Sequence, residues 1–218
     1  MKEEKLQALE KIVIDTNWIL FVLVFLLAII AVLKIIDAQK LKGYVFALFN
    51  KGFIEDEVEE DTFFFRPFYG LLLVFSSIAL ALVISLLVSE RKVGFLFSFS
   101  SFLTVFAIVF TFFVIKISLE IGLSRLFLIK KQVRFYVVSK FSYLYSISFF
   151  LLILFVLFQF GPINSSAFIC ITLGLFFLRY SLHTFINKKL VFSELFYFIL
   201  YICAFEIAPL LILFKLML

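Results

Sequence analysis

Long apolar runs separated by short polar stretches dominate the chain, and the runs lack the period-two alternation of a membrane barrel strand. The first, Trp18 to Ile36, is apolar until Lys34, with Thr16 or Asn17 available as a cap and Trp18 suited to a membrane interface. Further runs cover Phe68 to Ser89, Phe95 to Leu119, Phe141 to Phe160, Ser166 to Ile186 and Leu195 to Leu218. Each has about the 20 residues that a helix needs to cross a hydrocarbon layer about 30 Å thick. Lipid offers the backbone no water, so an unbroken run must satisfy its own amides, as a helix does. The pattern predicts an all-α, polytopic transmembrane helix bundle of about six spans, near 17–36, 68–89, 95–119, 141–160, 166–186 and 195–218, in one integral membrane domain over 1–218.

The polar stretches predict the connections. Gln39 to Phe49 (QKLKGYVFALF) reads as a short interfacial helix with a basic and an apolar face. Glu55 to Asp61 places six acids in seven positions, which by self-repulsion predicts a solvated, mobile loop. Arg91, Lys92 and Gly94 form a tight connection between the second and third spans, and Gly161 to Ser165 an uncharged turn. Residues 121–140 read as a second interfacial helix, in which Arg125, Lys130, Lys131 and Arg134 meet lipid head groups between Leu126, Phe127, Ile129 and Val133. Those aliphatic neighbours and the tether to membrane at both ends argue against nucleic acid.

Composition sharpens this picture. Of 218 residues, 65% are hydrophobic and 16% charged, with a mean hydropathy of +1.20, so membrane lipids are the expected solvent. Met1 to Asp15 mixes acids and bases without a small-residue cleavage motif, so no removable signal peptide is expected. If the first, third and fifth connections share a side, 14 of the 20 lysines and arginines lie there and 6 opposite. Basic residues prefer the cytoplasmic side, which predicts both termini in the periplasm. Ser76, Ser77, Ser85, Ser98, Ser100, Ser101 and Thr104, on the second and third spans, read as marks of close helix packing. Cys170 and Cys203 read as small buried hydrophobes.

Candidate chemistry concentrates late in the chain. Glu206 lies near the middle of the last run, where an ionised acid costs roughly 2.5–3.5 kcal/mol, so it must be protonated, hydrogen-bonded or paired inside protein. Pro209 weakens the helix beside it by removing a donor to the Phe205 carbonyl. The pair suits a buried polar contact across helices or, alternatively, proton coupling in a small transporter that uses Glu206 and Arg179. Arg179 and His183 share a face of the fifth span, where they either approach Glu206 through a bridging group such as Tyr201 or snorkel to head groups. Lys116 and Glu120 are spaced for a helix-end salt bridge. One histidine in the chain excludes multi-histidine metal sites, and the common catalytic motifs are missing; the expectation is no enzyme, no cofactor and no metal.

The segment Leu195 to Lys215 (LFYFILYICAFEIAPLLILFK), with Tyr201, Cys203, Glu206 and Pro209 in order, resembles the C-terminal signature of an uncharacterised family of multi-span inner-membrane proteins from Bacteroidota. The resemblance implies a Gram-negative cytoplasmic membrane and no established activity. It also implies partner subunits: a place in a larger envelope complex, for which type IX secretion and gliding machineries are the natural assemblies. The expected role is a non-enzymatic membrane subunit or scaffold.

Overall fold

The computed structural model describes residues 17–59, 67–91, 97–126 and 130–186, and among them the secondary structure is helical throughout. The chain forms α1 (Asn17–Ile36), α2 (Ala38–Val45), α3 (Lys51–Glu59), α4 (Pro67–Arg91), α5 (Phe99–Leu126), α6 (Lys130–Phe160) and α7 (Ser165–Ile186). Five of these, α1, α4, α5, α6 and α7, are long and apolar enough to cross a bilayer. The run from Leu195 lies outside the described residues.

The five long helices divide into a centre and a rim. In α4 and α6 the apolar stretches are 67% and 72% buried, against 22% for α1 and α5 and 11% for α7. α4 packs on α5, α6 and α1, and α6 also carries α7. At the seam Phe75 lies on Phe149 with ring centroids 4.5 Å apart, and both are buried. Serines let α4 and α6 approach. Ser77 donates to the Leu73 carbonyl at 2.8 Å, Ser142 to Val138 and Ser148 to Leu144, so each hydroxyl is satisfied along its own helix and adds little bulk. Ser76, Ser77 and Ser85 are buried as the packing reading of α4 requires, whereas Ser100 and Thr104 on α5 face outward. The serines of α6, which that reading did not single out, are equally buried.

Two expectations for the connections change. The acidic stretch does not begin as a loop: Lys51–Glu59 is α3, and Glu57 is buried. Helical spacing explains this, because Ile54, Glu57 and Val58 fall on one inward face while Glu55 and Asp56 point outward. The Asn50 side chain accepts from the Phe53 amide at 3.3 Å and starts the helix. Residues 121–140 do not form a separate helix either, since 121–126 complete α5 and 130–140 open α6. From Lys130 to Phe160 no glycine or proline intervenes, so nothing interrupts the helix where charge gives way to apolar residues. Gly161 and Pro162 then end α6; a Cβ at Gly161 would press on the Leu157 carbonyl, and its amide bonds that carbonyl at 2.9 Å.

Each end of the bundle has its own chemistry. At one end Trp18 meets Phe97, Phe99 and Phe102 at 5.1, 5.9 and 5.4 Å, and Phe158 meets Phe168 at 4.6 Å. At the other, where α1 ends and α4 and α6 begin, lie the short helices α2 and α3 and the described lysines Lys34, Lys40, Lys42, Lys116 and Lys140.

Candidate functional site

Polar side chains converge where α2 and α3 meet the first turn of α4. Asp37 is the N-cap of α2, accepting from the Lys40 amide at 2.9 Å, which fixes the first turn of that helix. From there the Lys40 ammonium stands 3.5 Å from the Glu57 carboxylate and 3.5 Å from the Tyr69 hydroxyl, to which it donates. Tyr69 in turn donates to Glu57. The side chain of Lys40 is 16% exposed and that of Glu57 3%.

Aromatic rings wall this triangle. Tyr44, fully buried, packs edge-on to Phe53 at 5.0 Å, Tyr145 at 5.7 Å and Tyr69 at 6.1 Å. Burial pushes the Tyr44 hydroxyl well above its ordinary range, and the nearby Glu57, Tyr69 and Tyr145 push it further in the same direction. Gly43 is required by this packing: a Cβ there would overlap the Phe53 ring. Ser146 of α6 donates to the Val45 carbonyl at 2.7 Å and ties the end of α2 to the central helix.

Chemically the arrangement is a closed clamp. The carboxylate receives a hydroxyl and faces an ammonium, and the hydroxyl accepts from the ammonium, so the three groups satisfy one another. Such a triangle holds α2, α3 and α4 together at the neck of the bundle. Breaking one corner leaves a charge in a water-poor site. Among the described residues no cluster of histidine, cysteine or carboxylate has metal-ligand geometry. An apolar groove on the rim is lined by Trp18, Phe21, Val22, Phe25 and Phe99 and offers no polar group to a reaction.

The residues singled out in the sequence are placed differently. Arg179 donates to the Lys140 carbonyl at 3.4 Å, so its guanidinium bends toward the end of the bundle where α6 begins. His183 lies one turn further along α7. Arg125 closes α5 and Lys130, Lys131 and Arg134 open α6, gathering their backbone positions at that same end. Lys116 stands over the Phe112 ring at 5.5 Å. Tyr201, Glu206 and Pro209, with Cys203, lie outside the described residues. Cys170 corrects an expectation, being exposed on α7, whose outward face has no described neighbour to bury it.

Lys40, Glu57 and Tyr69 were not singled out in the sequence. The available signals were local: Asp37 three residues before Lys40 as a cap, and Ile54 and Val58 four apart around Glu57. The sequence model of a family described as a domain of unknown function (DUF4271) matches residues 19–217. No curated protein and no solved structure matches the chain.

Proposed function

This chain belongs to the family described as a domain of unknown function (DUF4271), and from that premise we propose that it is a non-enzymatic integral subunit or scaffold of a larger envelope complex. The observation that carries the reading is the division of polar and apolar groups. The Lys40, Glu57 and Tyr69 side chains close on one another, while the rim helices present large apolar side chains outward, among them Phe21 and Phe25 on α1 and Leu173, Phe177 and Tyr180 on α7. A clamp whose ammonium, carboxylate and hydroxyl turn toward one another stabilises a scaffold. Broad rim faces are what lipids and membrane partner subunits pack against.

The membrane is the bacterial cytoplasmic one in this proposal, with both termini in the periplasm. The concentration of lysines and arginines at the end shared by α2, α3 and the start of α6 supports that orientation. The resemblance of Leu195 to Lys215 to proteins of Bacteroidota points to the secretion or gliding assemblies of those organisms, with Glu206 as the anchor of a buried contact. Extraction of the tagged full-length protein from its native membrane in mild detergent tests the reading. A stoichiometric membrane partner that co-purifies is expected, and a protein isolated as a lone monomer argues against it. Reporter fusions to each terminus check the orientation separately.

A further inference from the structure

The turn between α2 and α3 has the marks of a segment in contact with lipid. Gln39, Lys42, Phe46 and Phe49 are spaced three, four and three apart, share one side of α2 and its continuing turn, and are all exposed. Leu41, Tyr44 and Leu48 occupy the opposite, buried side. The exposed stripe therefore runs from amide and ammonium to two phenyl rings, 50% exposed at Phe46 and 73% at Phe49.

Depth is given by α6. Ser146, whose hydroxyl bonds the Val45 carbonyl, lies six residues past Lys140, the last charged residue before the apolar run of α6. At 1.5 Å per residue this is about 9 Å along the helix, inside the apolar run. A non-helical turn at that depth must satisfy its backbone without water. Four of the five amides from Phe46 to Asn50 find protein carbonyls: the Phe46 amide bonds the Lys42 carbonyl at 3.2 Å, Ala47 bonds Tyr44 at 3.4 Å, and Phe49 and Asn50 both bond Phe46, at 2.9 and 3.2 Å. The Val45 carbonyl is taken by Ser146 and the Asn50 side chain by the Phe53 amide.

We propose that this turn is a monolayer wedge, with Phe46 and Phe49 inserted among phospholipid acyl chains of one leaflet and Lys42 directed to the phosphates above them. The inference rests on the membrane reading of the bundle. Its anchor is the clamp at the neck, which joins Lys40 near the start of α2 to Glu57 near the end of α3 and so fixes the hairpin at the depth that Ser146 sets.

The test uses the full-length protein in phosphatidylcholine and phosphatidylglycerol vesicles whose acyl chains carry bromine at mid-depth. Trp18 is the one tryptophan, so Trp18→Phe gives a silent background into which Phe49→Trp, Phe46→Trp and the rim reference Phe21→Trp are introduced singly. Bromine is expected to quench Phe49→Trp as strongly as Phe21→Trp, with a comparable blue shift of emission. If Phe21→Trp is quenched but Phe49→Trp is not, whether water or protein surrounds the latter, the wedge is overturned and the membrane reading stands. If neither is quenched, the membrane reading falls and the wedge with it. Phe46→Trp supplies the same comparison should Phe49→Trp fail to fold.

Discussion

The α2–α3 hairpin and α7 sort their side chains in opposite ways. The hairpin turns Lys40, Glu57 and Tyr44 inward, while α7 turns Leu173, Phe177 and Tyr180 outward and buries few residues, Phe168 and Thr172 among them. In water this would be an inside-out arrangement. In a bilayer it follows from one rule: polar groups that cannot reach water gather where protein can satisfy them, and apolar side chains lose little by facing acyl chains. The difference teaches that apolar exposure on α7 and the burial of paired charge on the hairpin answer to the same solvent rule.

Removing a corner of the clamp tests the contrast most severely. Glu57→Ala leaves the Lys40 ammonium without its carboxylate and is expected to lower stability by about 3 kcal/mol, read from unfolding in mixed micelles with a denaturing detergent. The double variant Lys40→Met, Glu57→Leu should recover most of that loss, because an apolar pair of similar size carries no desolvation cost. A loss in the double variant as large as in the single one would show that packing, not charge pairing, holds the hairpin.

Alkali offers a second lever on the same region. Burial, then Glu57, Tyr69 and Tyr145, holds the Tyr44 hydroxyl protonated above its ordinary 10.0. The unfolded chain releases this proton near pH 10.0 and the folded chain does not, so this contribution to stability is intact below that pH and falls as pH rises beyond it. The slope for one proton is about 1.4 kcal/mol per pH unit. Tyr44→Phe should flatten the decline between wild-type measurements taken below and above pH 10.0; an unchanged decline would assign it elsewhere.

Two glycines make a matched pair. Gly43→Ala sets a methyl against the Phe53 ring and is expected to cost about 1 kcal/mol. Gly174→Ala meets nothing within 4 Å and should raise stability by about 0.5 kcal/mol through helix propensity. A loss at Gly174 would reveal a helix packed closely on that face of α7. The smallest effect belongs to Phe177→Ala, 74% exposed on α7, which should move stability by less than about 0.5 kcal/mol in the isolated protein. The same substitution should weaken co-purification if a partner subunit covers α7.

What could be read along the chain was whatever depends on near neighbours. Runs such as Trp18 to Ile36 announce helices because hydrocarbon forces each segment to close its own hydrogen bonds, whatever surrounds it. Ser77 and Ser85 announced close packing for a similar reason, since a small hydroxyl can bond within its own helix. The acid run misled because net charge per segment says nothing of which acid faces inward. Glu55 and Asp56 behave as the charge pattern predicts, and Glu57, one position on, does not.

The sequence by itself determined that this protein is a bundle of apolar helices with its basic residues concentrated between particular spans. Only the tertiary structure decided that α4 and α6 form the centre, that Lys40 meets Glu57 and Tyr69, and that Arg179 bends to Lys140. The reason is one of range. Hydropathy acts residue by residue against the solvent, whereas a buried pair depends on two segments being brought to within a few ångströms, which no local pattern specifies.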